Sequence, residues 1–260
     1  MIEVAKVDVA TLREAYRARK LALFDTLRFA RAPTRSVHAV LRQISALADE
    51  TLIALWTDAG FGSSLTLAAV GGFGRGELFP YSDVDVLLLL PDANAAQVEP
   101  ARIEAFIGNC WDAGLEIGSS VRTLVECLDE AARDVTVQTS LLEARMITGD
   151  KKLFANFRKQ FFSAIDAKAF LAAKSQEMRH RHHKFDDTPY ALEPNCKESP
   201  GGLRDLQSIL WISKAAGFGN RWEDLSKNGL ATPFEIRQIK RNEALLSLIR
   251  ARLHVTANRR

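Results

Sequence analysis

Residues 71–90 read GGFGRGELFPYSDVDVLLLL, and the rest of the chain is organised around this stretch. Its apolar run, 86–90, is short and closed by Pro91, which argues for a buried strand and against a helix. Side chains alternate along a strand, so Asp83 and Asp85 leave it on the same face. Two carboxylates on one face of a buried strand are costly unless a positive charge neutralises them. A divalent cation does this most simply, and Mg2+ favours hard oxygen ligands together with substrate phosphates.

Residues 65–70 read as an earlier strand, ended by Gly71-Gly72. Gly74 and Gly76 follow on either side of Arg75. Glycines admit positive φ and let the backbone approach a ligand closely. N–H groups in such turns form concavities that hold anions. Alone, a glycine turn is ordinarily only a turn, and an Asp-x-Asp pair is ordinarily surface. Strand, Gly-Gly, a ten-residue spacer and Asp83-Val84-Asp85 together place a phosphate cradle beside a metal site.

Working outward, the chain has 260 residues, enough for one large domain or two. It is 47% hydrophobic and 26% charged, the balance of an ordinary globular protein. A net charge of +3 is too mild to argue for nucleic acid. Cys110, Cys127 and Cys196 have no metal or redox spacing, which suits a reducing cytoplasm. The start, MIEVAKVDVA, lacks the apolar segment of a signal peptide. No apolar run approaches the ~18–20 residues of a membrane span.

On the N-terminal side, 11–31 reads as a helix rich in Arg and Lys, broken at Pro33-Thr34. Val37, Val40, Leu41, Ile44, Leu47 and Ala48 then recur at helical spacing to about Trp56. On the C-terminal side a helix is expected over 100–113. The segment 115–122 alternates, with Leu115, Ile117, Ser119 and Val121 on one face and Glu116, Gly118, Ser120 and Arg122 on the other. That is a third strand with one polar face. Helices are expected over 124–132, 134–147, 151–164 and 166–184. In RHRHHK, 179–184, His at i and i+2 do not share a helix face, so a basic patch is favoured over zinc. Residues 190–199 read as an extended excursion. Pro200-Gly201-Gly202 then opens a helix over 203–215, with N–H groups available to an anion beside Lys197 and Arg204. The last helix, 233–255, carries Ile239, Leu246, Ile249 and Leu253 as a core stripe.

The Gly71-Gly72 turn, its spacer and Asp83-Val84-Asp85-Val86 resemble the signature of the polymerase-β-type nucleotidyltransferase superfamily. Together with WDAGLEIGSSVR (111–122), LLEAR (141–145) and LEPNCKESPGGLRDL (192–206), the wording is similar to the N-terminal region of the bacterial PII uridylyltransferase/uridylyl-removing family. The resemblance covers most of 60–215. It implies an α+β fold: a small mixed-sheet nucleotidyltransferase core with N-terminal helices and a C-terminal helical domain. The divisions expected are 1–60 for the N-terminal helices, 61–148 for the catalytic core and 149–260 for a helical nucleotide- and substrate-binding part.

The resemblance further implies transfer of UMP from UTP to a tyrosine of the PII signal-transduction protein, in nitrogen regulation, with Mg2+ or Mn2+. Asp83 and Asp85 would hold the metal. Gly71, Gly72, Arg75, Ser82, Lys197, Gly201, Gly202 and Arg204 would bind the nucleotide. The superfamily uses three acids, and Glu116, on the polar face of the third strand, is expected to be the third. Asp134 reads instead as a helix cap. The hydrolase and glutamine-sensing parts of the family are not expected here, so neither UMP removal nor a glutamine response is expected, and the chain reads as truncated within the helical part. Two alternatives remain at this stage. One is an adenylyltransferase acting on another protein; the other is a nucleotide-binding fragment without turnover.

Overall fold

A computed structural model describes residues 7–29, 33–98, 100–193 and 195–259. The first six residues, Arg31 at the expected end of the first helix, and Pro194 within the expected excursion lie outside the described residues. Among the described residues, twelve helices surround a four-stranded mixed sheet, an α+β arrangement.

The apolar run forms the sheet's spine. Strand β2 (Val84–Leu90) pairs antiparallel with β1 (Thr66–Ala69) and parallel with β3 (Ile117–Thr123). Strand β4 (Arg145–Gly149) lies antiparallel along the other side of β1, giving the order β3-β2-β1-β4. A parallel pair needs a crossover, and helices α4 (Ala93–Val98) and α5 (Pro100–Asp112) supply it between β2 and β3. Strand β2 begins two residues earlier than the apolar run, so Asp85 lies inside the strand and Asp83 immediately before it.

The two faces of β2 belong to different hydrophobic clusters. Val84, Val86, Leu88 and Leu90 pack with α1 (Val9–Phe29), α2 (Pro33–Asp58), α5 and the C-terminal helix α12 (Pro233–Ala257). Leu87 and Leu89 face α6 (Leu124–Arg133), α7 (Val135–Leu142), α8 (Lys151–Ala164), α9 (Ala167–His183) and α10 (Leu203–Ala215). Leu87, Leu88 and Leu89 are fully buried, each stabilising the strand by roughly 2 kcal/mol. By alternation Asp83 and Asp85 share the second face, which points them at the helices of the C-terminal half.

The stripe read on α2 is the core face: Val37, Val40, Leu41, Ile44, Leu47 and Ala48 are all buried. The stripe read on α12 is displaced. Ile249 and Leu253 are 40% and 54% exposed, while Leu248, Ala251 and Val255 are buried against α1 and α2. The first cluster therefore crosses both expected divisions, at 60/61 and 148/149. The second of these also cuts β4, whose last residue is Gly149.

Other local differences have physical causes. The break read at Pro33-Thr34 separates two helices, α1 ending at Phe29 and Pro33 itself opening α2, where its missing N–H is harmless. The glycine turn closes into a four-residue helix, α3 (Gly71–Gly74), through Gly74 N–H to Val70 O at 2.9 Å and Arg75 N–H to Gly71 O at 3.2 Å. The helix expected over 134–147 stops at Leu142, and its remainder pairs with β1 as β4; strand pairing overrides helical propensity there. Ser119 and Val121 are exposed because β3 is an edge strand. Helix α11 (Trp222–Lys227) was not anticipated; Trp222 and Leu225 anchor it beside Ile236 of α12.

Candidate active site

A cavity of about 350 Å3 opens between the sheet's second face and helices α7, α9, α10 and α12. Gly71, Gly72, Arg75, Ser82, Asp83 and Asp85 line one wall, and Lys197 and Arg204 line the opposite one. These residues are up to 133 positions apart in sequence and meet only through the fold.

On the core wall, Gly71 has φ of +56°, a left-handed conformation that glycine adopts without strain. The first N–H donated inside α3 is that of Gly74, so the preceding N–H groups face out of the helix start. Asp85 lies one strand away. Gly118, its neighbour on β3, is required there: a Cβ at that position would lie 2.6 Å from Asp85 Oδ1. The sheet thus keeps a space for the Asp85 carboxylate that any larger residue would fill. Two hard-oxygen carboxylates beside a phosphate-sized space fit a divalent cation. Among the described residues no group of three or more His, Cys, Asp or Glu is arranged for a metal, so substrate oxygens would have to complete the set.

The helical wall is cationic. Lys174 of α9 is only 2% exposed, paired with Glu177 at 2.5 Å, with its ammonium 4.7 Å from the Trp211 ring centroid. Arg204 and Arg75 also approach that ring, at 5.2 and 5.8 Å. Burial lowers the Lys174 and Lys197 ammonium groups, with repulsion from Arg204 adding to it in both cases. Arg250 of α12 is pushed down to about 10 by burial and by Arg204 and Arg75. Burial works to raise Glu198, but Arg204 and Lys197 outweigh it and hold it below its ordinary value. Cations that depress one another across a cavity mark a place where an anion is missing. Thr136, Thr139 and Ser140 of α7 add hydroxyls to the lining.

Lys174, Arg250 and the α7 hydroxyls escaped the sequence reading. A charged residue in an amphipathic helix ordinarily faces solvent, and nothing local marks these as different.

Gly201, Gly202 and Glu116 do not line the cavity. The N–H groups expected to await an anion at the start of α10 are already used. Gly201 N–H donates to Asp205 Oδ2 at 2.7 Å, Gly202 N–H to Ser199 O at 2.8 Å, and Leu203 and Arg204 N–H to Cys196 and Lys197 carbonyls, both at 2.9 Å. The turn instead fixes Lys197 and Arg204 in place. Asp205 anchors it to α9 by accepting from Arg181 at 2.7 Å and bonding His182 Nε2 at 2.9 Å. The basic patch 179–184 is therefore partly structural. Glu116 is exposed, and its charge acts on Tyr16 and Lys20 of α1. Its carbonyl accepts from Val84 N–H at 2.7 Å, which places its backbone beside Asp83 at the same end of the sheet. Asp134 caps α7, accepting from Thr136 N–H at 2.6 Å.

Comparison with known proteins gives the class first. The nucleotidyltransferase domain family model matches residues 58–142, the span of β1, α3, β2 and β3. The model described as GlnD PII-uridylyltransferase matches 169–260, which holds the cationic helices. Bifunctional uridylyltransferase/uridylyl-removing enzymes are close relatives: that of Burkholderia lata is 56% identical over 253 residues, covering 97% of this chain and 29% of the relative. Those of Burkholderia mallei and Burkholderia pseudomallei are 55% identical over 258 residues, covering 99% of this chain and 30% of each relative. The chain belongs to this family of PII-uridylyltransferase nucleotidyltransferases. It spans less than a third of the length of the curated relatives it matches. Among the described residues no helix is long and apolar enough to cross a membrane.

Proposed function

We propose that this cavity transfers UMP from UTP to a tyrosine hydroxyl of the PII signal-transduction protein, in the cytoplasm, as part of nitrogen regulation. The observation that carries the reading is one cavity with Asp83 and Asp85 on one wall and Lys197, Arg204 and Arg250 on the other. A nucleoside triphosphate with its cation needs both signs of charge at once. The tyrosine oxygen attacks the α-phosphorus, the bond from that phosphorus to the bridging oxygen breaks, and pyrophosphate leaves. A divalent cation held by Asp83 and Asp85, Mg2+ or Mn2+, would supply charge neutralisation at the attacking oxygen and the α-phosphate.

Gly71, Gly72 and Ser82 cradle the β- and γ-phosphates. Arg75, Lys197 and Arg204 neutralise them, with Lys174 and Arg250 added from the helical wall. Gly201 and Gly202 serve indirectly, by shaping the turn that presents Lys197 and Arg204. Glu116 is the third carboxylate: its backbone is beside Asp83 at the same end of the sheet, and its side chain is exposed.

Pyrophosphate release with each of the four ribonucleoside triphosphates, with and without PII, tests the reading. UTP should be turned over in the presence of PII and the other three far more slowly. Preference for ATP, or turnover with another acceptor and none with PII, would overturn the assignment.

A further inference from the structure

A second polar cleft, of about 520 Å3, lies behind the first. Arg75, Glu77, Gln207 and Trp211 line both and form the partition between them. The rear cleft has six cationic side chains on four elements and two loops: Arg42, Arg75, Arg145, Arg158, Lys214 and Arg221. Facing them are only three carboxylates, Glu77, Glu143 and Glu243.

Carboxylates outside the lining take up two of the six cations, leaving four against three. Arg145 is spent on Asp49, through bonds of 2.9 and 3.0 Å. Arg221 lies 3.6 Å from Asp224. Lys214 reaches Glu143 at 3.6 Å, longer than a hydrogen bond. Glu77 is shared between His38 at 3.3 Å and Arg75 at 3.8 Å. Burial raises the Glu243 carboxyl, against the hydrogen bond it accepts from Trp222 Nε1 at 2.9 Å, and the charge on Glu77 raises it further. The charge of Arg42 acts on Glu77 and His38, and Arg158 lies 5.4 Å from the Phe162 ring centroid. Two guanidinium nitrogens that border the cleft, Arg75 Nε and Arg145 Nε, are buried with no hydrogen-bond partner. Buried donors without partners are uncommon and mark places where an acceptor is absent. Burial lowers Lys214, and Arg158 and Arg75 lower it further.

We propose that this rear cleft is a second anion site, distinct from the nucleotide cavity, that binds a phosphate-bearing ligand between Lys214, Arg158 and Arg42. The relevant chemistry is several guanidinium forks and one ammonium converging on tetrahedral oxygens. A free pyrophosphate and the phosphate tail of a second nucleotide share that chemistry. Such binding is independent of the transfer reaction and is read without turnover.

The test is calorimetric titration of inorganic pyrophosphate, and in a parallel arm of ATP, with and without a non-hydrolysable UTP analogue and Mg2+. Two equivalents of pyrophosphate should bind to the free protein and one when the analogue fills the front cavity. Arg158→Gln/Lys214→Gln should abolish the remaining equivalent and leave analogue affinity within about twofold. Removing Lys214 exposes Glu143 to solvent change, so Arg42→Gln/Arg158→Gln, at two exposed positions, serves as the second variant and should weaken the site at least tenfold. Tighter binding of ATP than of pyrophosphate assigns the site to a nucleotide; equal or weaker binding assigns it to the free anion. No equivalent in the presence of analogue, or one that survives both variants, overturns the proposal. If the analogue itself fails to bind, the transfer reading fails, while the rear site is still scored by the equivalent lost in the variants.

Discussion

The two walls of the front cavity are built in opposite ways. The core wall comes from one short stretch, Gly71 to Asp85, and works through backbone conformation and two carboxylates. The helical wall gathers Lys174, Lys197, Arg204 and Arg250 from α9, a turn, α10 and α12, and works through charge. The core wall is stiff because β2 is buried on both faces. The helical wall is held by pairs and stacks: Lys174 on Glu177 and Trp211, and Arg181 on Asp205. In the proposed reaction the two carboxylates of the first wall act at the reacting phosphorus, and the cations of the second join the glycine turn in holding the polyphosphate. Variants in the two walls should therefore fail differently.

The largest effect is expected from Asp85→Asn. It keeps the shape of the side chain and removes the charge that holds the cation. Metal-dependent transfer should fall by at least about a hundredfold, the scale of losing one electrostatic stabiliser of a transition state. The melting temperature should change little, because Asn keeps the shape that Gly118 makes room for. Undiminished pyrophosphate release from the folded variant would remove Asp85 from the mechanism.

On the other wall, Lys174→Gln should show itself in capture. Nucleotide affinity should weaken by about tenfold, the scale of one charge-assisted contact, with a smaller change in the rate at saturation. Glu177 is left without its buried partner, so some stability should also be lost. A variant that lowered the saturated rate a hundredfold while binding UTP normally would erase the division between walls.

A third pair asks which acid completes the core wall. Glu116→Gln should lower transfer with little change in melting temperature. Asp134→Asn should do the reverse and mildly, since Asn still caps a helix and a lost cap costs only about 1 kcal/mol. If Asp134→Asn stops transfer at unchanged stability while Glu116→Gln is active, the roles must be exchanged.

The same contrast explains what the amino-acid sequence disclosed. The core wall was legible because its function lies in local chemistry: glycines before a strand, two acids at a spacing of two, an apolar run closed by proline. The α+β class, the α2 core stripe and the boundaries of α8 and α10 followed from the same local patterns. Lys174 and Arg250 were not legible, because a helical cation looks the same whether it faces water or a cavity. Strand β4 was hidden for a related reason: LLEARMITG has helix-forming composition and becomes a strand only because β1 offers it an edge. Gly201 and Gly202 showed the opposite error. Their local pattern fits an anion site, but Asp205 accepts from Gly201 N–H and the Ser199 carbonyl from Gly202 N–H.

The smallest effect concerns the loop that joins α3 to β2 and so sets Asp83 against the helical wall. It is clamped by a histidine on each side. His38 of α2 reaches Glu77 at 3.3 Å, and His254 of α12 bonds the carbonyl of Pro80 through Nδ1 at 2.5 Å. The two titrate in opposite senses. The hydrogen bond to Glu77 raises His38 above its ordinary 6.5, against the effect of burial. Burial holds His254 below that value, despite the bond to Pro80, and Arg250 and Lys197 add to it. For His254, as pH falls through 6.5 the unfolded chain takes up a proton that the folded chain refuses, so stability falls on the acid side. For His38 the folded chain holds the extra proton, so its contribution is complete below 6.5 and is lost as pH rises through the raised value. His254→Gln should therefore flatten the decline in melting temperature between pH 6.5 and the more acid side, and His38→Gln the decline on the alkaline side. Each change should be no more than about 4 °C, the shift that ~1 kcal/mol gives a domain of this size. Melting curves for both variants across the neutral range measure it. A His254→Gln protein that loses stability relative to the parent only below pH 6.5 would mean that this histidine is charged in the folded protein, and that the Pro80 carbonyl, not burial, decides its state.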